Sequence, residues 1–318
     1  MPMSVDPTTV SEEGGEPRRL CPSCGTSDAI ADDSLMWPVD WHCASCGAKV
    51  AKRDGFPLFA PAHADQPVGM NPSAFAFLAD VEKRHFWFRE RNRLITGLIR
   101  QNFPTAQSFL EIGCGNGVVL AAISQERPWR RLCGSELHPT ALRIARARLP
   151  RGAEFFQMDA RHLPFSSAFD VIGALDVLEH IEEDEAVLFE IARAVRPGGG
   201  VILAVPQHPF LWSGSDDAAF HVRRYRRGEL EGKVRRAGLT IMRSSSFVSL
   251  LMPVMMLSRL FDQSSPGDIA SLLQREFAIS SLMNSILGGV TRLEVAATLA
   301  GMSWPAGGSR VIVAKAPR

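Results

Sequence analysis

The 318-residue chain is poor in several things, and each scarcity removes a class of explanation. It has no excess of charge: 35 Lys and Arg stand against 34 Asp and Glu, a formal net of +1. No global field therefore pulls it toward nucleic acid or an anionic bilayer, and partner arguments must rest on local clusters. It has no uninterrupted run of the ~20 apolar residues that a membrane-crossing helix needs. "FVSLLMPVMMLSRLF" comes nearest, but it is short and interrupted by Pro253 and Arg259. The opening "MPMSVDPTTVSEEGGEPRR" is polar and acidic, without the apolar stretch of a secretion signal, so residues 1–18 are expected to form a disordered tail of a cytoplasmic protein.

Cysteine is scarce too, with six in all. Cys114 and Cys133 lie alone in apolar, strand-like runs, where a free thiol behaves as a small buried hydrophobe. The other four form "CPSCG" and "CASCG", with residues 25–42 between the pairs. Two such knuckles present four thiolates, and Cys21, Cys24, Cys43 and Cys46 would close a tetrahedral Zn²⁺ site of structural type. Two disulfides and a metal-free remnant are the competing readings. Four sulfurs leave no place for water or substrate, so the module is expected to do no chemistry, with His42 a bystander. A unit so small depends on its metal to fold, with Trp37 and Trp41 covering one side. The ribbon is expected over 19–60 and a Pro- and Gly-rich linker over 61–74.

From residue 75 to 318 the pattern changes. "SAFAFLADVEKRHFWFRERNRLITGLIRQN" has helical apolar spacing, and short apolar strands then alternate with amphipathic helices: "SFLEI", "GVVLAAISQ", "RLCGSE", "PTALRIARARL", "AEFFQ", "FDVIGALD", "EDEAVLFEIARAV", "GGGVILAVP". Repeated βα units imply a doubly wound α/β fold whose mostly parallel sheet is covered on both faces. Ligands in such sheets sit at the carboxyl ends of the strands, where the strand order reverses.

"FLEIGCGNGVV" fills the first such end. Gly113, Gly115 and Gly117 suit a tight turn with close ligand approach. The spacing departs from the dinucleotide fingerprint, and Glu111 stands two residues before the first glycine. That carboxylate is unsuited to a pyrophosphate and suited to an ammonium. Glu136 in "GSELHP" is placed to accept both hydroxyls of a ribose, Asp159 in "QMDARHLPF" to accept from an adenine amino group, and "GALDVLEHI" sets Asp176, Val177, Glu179 and His180 on the floor of the same crevice. A solvated acid, a turn acid or a helix cap explains any one of these alone; four converging strand ends are harder to dismiss.

In that order and spacing, "LEIGCGNG", "GSELHP", "QMDARHLPF", "FDVIGALDVLEHI" and "RAVRPGGGVILAVP" resemble the successive motifs of the class I S-adenosylmethionine-dependent methyltransferases, over about residues 75–246 plus a final strand. The resemblance implies a seven-stranded sheet with an antiparallel last strand, "SRVIVAKA", paired with "LTIMRSSS". It implies S-adenosyl-L-methionine held by Glu111, Gly113, Gly115 and Gly117 at its methionine end, by Glu136 with Leu137 at the ribose, by Asp159 and Ala160 at the adenine, and by Asp176 and Val177 near the sulfonium. "FWFRER" is similar to a closing helix of a bacterial subgroup, with Trp87 and Arg91 as contacts; an aromatic core beside a solvated arginine face competes with that.

Beyond the fifth strand, "PQHPFLWSGSDDAAFHVRRYRRGEL" carries His221 and His208, the candidates in that order for removing a proton from an acceptor hydroxyl. Structural loop histidines are the plain reading. The four guanidiniums of "RRYRR", around Tyr225, the chain's one tyrosine, suit either a substrate anion or a solvated helix start. Residues 247–304 are expected to form a helical insertion before the last strand: a lid over a greasy substrate, a peripheral membrane contact, a dimer contact, or ordinary core.

The favoured function is methyl transfer to an oxygen of a small-molecule or lipid- or glycan-linked acceptor. Zinc-ribbon methyltransferases that modify ribosomal or transfer RNA are the alternative, against which stand the neutral charge and the lack of a basic, aromatic stripe on the ribbon. A non-catalytic cofactor-binding partner protein is a third. Consumption of cofactor separates the third from the first two, and salt-dependent RNA binding by the ribbon separates the second from the first. The acceptor atom and the oligomeric state are not written in the sequence.

Overall fold

A computed structural model describes residues 15–32, 34–66, 74–260, 277 and 279–318. Residues 1–14 of the expected tail, 67–73 of the expected linker, and 261–276 and 278 of the expected insertion lie outside them.

The ribbon is built from two short hairpins, β1 (Arg18–Leu20) with β2 (Ser27–Ala29) and β3 (Ala51–Arg53) with β4 (Phe56–Leu58). Helices α1 (Ala74–Arg84) and α2 (Phe86–Asn102) follow, the second capped by His85, whose ring accepts from the Trp87 amide at 3.3 Å. Burial and the neighbouring Arg89 hold the His85 imidazole down to about 4, which keeps it neutral in that role.

Strand β5 (Ser108–Ile112), "SFLEI", is buried at every residue, as a strand covered on both faces must be. Its parallel neighbours are β6 (Arg131–Glu136) on one side and β9 (Phe169–Leu175) on the other. β7 (Glu154–Gln157) extends the first side and β10 (Val195–Pro206) the second, while β8 (Phe165–Ser166) stands apart and pairs with β1 of the ribbon. Helices α3 (Val118–Ser124), α4 (Pro139–Arg148) and α5 (Asp184–Ala194) make the crossovers, and α6 (Gly214–Ala218) and α7 (Glu229–Arg236) lie on the connection after β10. The far edge is β11 (Thr240–Phe247) and β12 (Ser309–Lys315), with β12 inserted antiparallel between β10 and β11. Between them the chain forms α8 (Met252–Leu260) and α9 (Ser281–Leu299).

The order β11-β12-β10-β9-β5-β6-β7 is the seven-stranded, doubly wound sheet that the alternation predicts, with its antiparallel last strand. At the β7 edge it continues into β4 and β3, so the ribbon hairpin lengthens the same sheet to nine strands. Alternation along β5 sends Phe109 into one apolar cluster and Leu110 and Ile112 into the other. Glu111 therefore shares the face of Phe109, under α2. The strand order diverges at β5 and β9, which puts the ligand crevice at their carboxyl ends. Among the described residues, no helix is long and apolar enough to cross a membrane.

Trp37 fastens the ribbon to this body. It is 3% exposed, and its ring meets Trp41 and Phe59 at 4.6 Å and Phe165 of β8 at 6.2 Å. Glu154 of β7 reinforces the junction by accepting the Met36 amide at 2.8 Å. Because these contacts join two layers into one core, Trp37→Ala should cost about 3–5 kcal/mol. Calorimetric melting should show that loss in the main transition, rather than in a separate ribbon transition.

Candidate functional site

The loop after β5 is shaped by two glycines with different duties. A Cβ on Gly113 would fall 2.4 Å from Val177 Cγ2, so only glycine lets the β5 and β9 ends close up. A Cβ on Gly117 would meet Ala145 Cβ at 2.8 Å; it seats α3 against α4 and is not among the residues lining the two cavities at these strand ends. Asn116 secures the loop from outside, donating to the Phe75 carbonyl at 2.8 Å and to Glu82 at 3.3 Å, and Arg148 holds Glu82 at 2.9 Å.

Two connected cavities open at these strand ends. The first, about 380 Å³, is lined by Gly113, Gly115, Glu136, Leu137, Asp159, Ala160, Asp176 and Val177, which are eight of the twelve expected cofactor contacts. The second, about 630 Å³, is lined by Trp87, Arg91 and Glu111 and by His221, with α8 and α9 supplying Val254, Met255 and Leu287. Gly113, Gly115, Asp176 and His180 face both.

Glu136 is fixed by backbone donors. Its Oε1 accepts the amides of Leu137 at 2.7 Å and His138 at 3.2 Å, and its Oε2 accepts that of Gly115 at 3.1 Å. The carboxylate is thereby held rigidly at the cavity wall, with one of its roughly four lone-pair sites left for a further donor. Asp159 is not free in the same way. Arg161 donates to it from Nε at 3.1 Å and from its terminal nitrogen at 2.7 Å, and the Arg161 amide adds 2.9 Å. Burial works against the Asp159 charge, but Arg161 outweighs it and holds the carboxyl below its usual range. Asp176 adopts a left-handed backbone, φ 57°, and pairs with Arg91, whose guanidinium lies 4.5 Å over the Trp87 ring. Left-handed φ at a non-glycine residue is uncommon and concentrates at functional sites.

Glu111 differs from the rest. It is 3% exposed, and its Oε2 has no hydrogen-bond partner. Burial pushes its carboxyl up to about 8, with Arg91 opposing and Glu136 and Glu82 adding to the rise. A cation placed against that oxygen would relieve the cost.

On the opposite wall, His221 Nδ1 lies 2.8 Å from Asp216 Oδ1, which also accepts Arg224 Nε at 2.8 Å. Ser213 donates its amide to the other Asp216 oxygen at 2.9 Å. Burial disfavours the Asp216 charge, but His221 and Arg224 outweigh it and bring the carboxyl down to about 2. An imidazole so held turns its Nε2 edge to the cavity. Beside it, Glu179 is fully buried with neither carboxylate oxygen hydrogen-bonded, and burial together with Asp176 raises its carboxyl well above the ordinary range.

His208 lines neither cavity. Its backbone is left-handed, φ 65°, and its ring packs on Phe210 with centroids 5.0 Å apart, so it is a turn residue rather than a base facing substrate. The "RRYRR" stretch is divided by its partners. Arg223 pairs with Asp184 at 2.7 Å, the fully buried Tyr225 donates to Asp184 at 2.6 Å, and Arg224 serves Asp216. Arg161 is the contributor that motif reading missed; Asp216 and Arg224 lie in stretches it singled out, but their pairing with each other and with His221 was not read. The signal available for Asp216 was the "SGSD" capping box at the start of α6.

In the ribbon, Cys21 and Cys46 sulfurs lie 3.7 Å apart and Cys24 and Cys43 sulfurs 3.6 Å apart. A tetrahedron of Zn–S bonds near 2.3 Å has edges of about 3.8 Å, whereas a disulfide would need about 2.05 Å. The arrangement fits four ligands to one ion, and all six cysteines are free thiols.

Residues 110–203 match the family model of a methyltransferase domain. A Mycobacterium tuberculosis protein assigned as an S-adenosylmethionine-dependent methyltransferase is 28% identical over 167 residues, covering 51% of this chain and 58% of that protein. A trans-aconitate 2-methyltransferase of an Azoarcus species is 30% identical over 120 residues, covering 37% of this chain and 47% of the relative. The chain thus spans roughly half the length of the curated relatives it matches. Among solved structures, a Galdieria sulphuraria protein assigned as a sarcosine dimethylglycine methyltransferase superposes with a TM-score of 0.50 at 16% identity, covering 72% of this chain and 86% of that one, which is a likeness of fold. The sheet and the matched domain make this a Rossmann-like α/β methyltransferase fold.

A buried acid kept ready for a ligand should be a liability to the empty protein. The Glu111 carboxyl keeps its proton to about pH 8 when folded but releases it near pH 4.5 when unfolded, so its contribution is lost as pH rises between those values. Glu111→Gln removes that loss. In melts at pH 5 and pH 8.5, the wild type should lose stability relative to the variant, on the order of a few kcal/mol at the higher pH and little at the lower.

Proposed function

We propose that this chain transfers a methyl group from S-adenosyl-L-methionine to an oxygen of a small-molecule or lipid- or glycan-linked acceptor, with a structural Zn²⁺ in its ribbon. The observation that carries this reading is the buried Glu111 oxygen, without a hydrogen-bond partner among the described residues, beside Gly113 and Gly115 and one cavity wall away from the amide-held Glu136 carboxylate. An ammonium for the first and a vicinal diol for the second are the two ends of an amino-acid nucleoside. Leu137 and Ala160 would flank the purine, and Asp159, held in place by Arg161, would lie at its amino edge. The cofactor, when bound, supplies an electrophilic methyl on a sulfonium.

The chain's own part is alignment and proton management. Asp176, facing both cavities and clamped by Arg91, marks the passage between cofactor and acceptor. The second cavity has apolar walls in Leu251, Val254, Met255 and Leu287, which exclude water and accept a greasy body. His221, aimed by Asp216, is the imidazole that faces this space, and it is placed to manage the proton that an acceptor hydroxyl must lose. Exposed Val254 and Leu257 on α8 and Leu282 and Leu293 on α9 support an acceptor presented at a lipid surface. In the ribbon, four thiolates fill the coordination sphere, so zinc there stabilises and does not catalyse.

Glu136→Ala should weaken S-adenosylhomocysteine binding by about 1.5–3 kcal/mol, roughly 10- to 150-fold; unchanged calorimetric affinity would remove the nucleoside assignment. With labelled S-adenosylmethionine and cell extract, the label should enter small-molecule or lipid fractions. His221→Gln should cut that transfer by about 10²–10⁴-fold while leaving homocysteine-adduct affinity in place. Label appearing in RNA instead would overturn the acceptor class.

A further inference from the structure

One feature of the second cavity is unused by methyl transfer as described: Glu179. It sits in the turn Leu178–His180 just beyond β9, fully buried, with two carboxylate oxygens that find no hydrogen-bond partner among the described residues. A buried polar group without a partner costs several kcal/mol, and such groups commonly mark an ion or a ligand. Two imidazoles converge on it. One ligand atom each from Glu179, His180 and His221 lie within 4.8 Å of one another, and the two rings meet edge to face with centroids 4.7 Å apart. The grouping is no accident of a loose loop, because the Val222 amide donates to the Glu179 carbonyl at 2.8 Å and ties the two segments together.

We propose that Glu179, His180 and His221 form a second metal site, separate from the ribbon, that takes one divalent cation of the Zn²⁺, Mn²⁺ or Fe²⁺ type in the wall of the acceptor cavity. Ligand bonds of about 2.0–2.2 Å let one ion touch all three with small side-chain adjustments. Neutral imidazoles with a carboxylate are the donor set such borderline ions prefer over Mg²⁺ or Ca²⁺. Asp216 completes the design: by holding Nδ1 of His221 it leaves Nε2 as the ligand atom, the carboxylate–histidine–metal relay of many metal sites. Local charge agrees. Arg91 and Arg224, the cations that act on Glu179, are tied to Asp176 and Asp216, so among the described residues no ion pair neutralises an ionised Glu179.

Three protein ligands leave coordination positions open, and the open side is the cavity. The chemical role of the ion rests on the reading of that cavity as the acceptor site; its binding does not. An acceptor hydroxyl on the ion loses its proton to solvent more readily. Its oxygen then forms the O–CH₃ bond as the S–CH₃ bond breaks, with the electron pair left on sulfur. With the ion bound, His221 would be its ligand and the hydroxyl proton would leave from the ion; without it, the same imidazole manages that proton itself.

The test uses the full chain carrying its ribbon zinc. Manganese is the probe, because a four-thiolate site disfavours it. Titration followed by electron paramagnetic resonance should show one Mn²⁺ bound, and calorimetry one Zn²⁺ beyond the ribbon's. Glu179→Gln, nearly isosteric, should weaken both at least tenfold, and His221→Asn should do the same if the first variant fails to fold. Uptake that stops at the ribbon's zinc, or a folded variant that binds metal as the wild type does, overturns the site. S-adenosylhomocysteine affinity in the same samples separates the two readings: homocysteine-adduct binding without added metal uptake sinks the metal site alone, and metal uptake without it sinks the cofactor reading alone.

Discussion

Burying a carboxylate beside a sheet's switch point is the constraint around which the site is organised. Glu111 ends the strand from which the order diverges in both directions, and its face of the sheet is covered by α2. An acid in that position cannot be solvated, and Arg91, the nearest cation by its electrostatic effect, is committed to Asp176. What remains is an unmet demand for positive charge in a place lined by glycine loop and strand ends. The neighbouring acids are treated differently: Glu136 is satisfied by three amides and Asp159 by Arg161. One strand-end acid is thus left hungry and two are pre-set, which is the pattern of a site that binds a cation at one end and neutral donors at the other.

Much of this was legible because strand-end residues inherit their position from topology. Once βα alternation is recognised, the residue after each strand must stand at the crevice, and Glu136, Asp159 and Asp176 do so without any knowledge of side-chain detail. Gly117 and His208 illustrate where that logic stops. Gly117 has its reason in Ala145 and Leu149 of the next helix, a contact that no local pattern announces. His208 lies on the right connection, but the Gln207–Tyr225 bridge and its left-handed backbone turn it aside onto Phe210. Motif reading finds the connection; the rotation of each side chain along it is decided by partners far away in sequence.

The same holds for the basic stretch and the ribbon. Whether "RRYRR" meets a ligand or the protein depends on Asp184, which lies on α5 and takes both Arg223 and Tyr225. The ribbon's cysteine grouping was readable because two CxxC knuckles bring four sulfurs together. Its attachment was not. A single register pair, Leu58 with Gln157, makes the hairpin an edge of the main sheet, and Trp37 makes its interior part of the main core. Folding of the ribbon therefore also covers the β7 edge, where β4 lies and Gln157 binds Ala60 through both its amide atoms.

Division of the crevice into two cavities bears on how the chemistry is kept selective. Asp176 faces both, and its left-handed backbone is held by an ion pair to a guanidinium that is itself stacked on Trp87. That stack belongs to α2, and α9 fixes the start of α2 by accepting the Phe86 amide on Asn284 at 2.8 Å. Glu294 of α9 in turn accepts the Ser249 and Leu250 amides at 2.9 Å, setting the approach to α8. The helices inserted between β11 and β12 are thus wired both to the residue that faces both cavities and to the wall of the second. A change in how those helices pack would be felt at Arg91 and Asp176 through two hydrogen-bonded joints, so the two cavities are mechanically linked by the same short segment of α2.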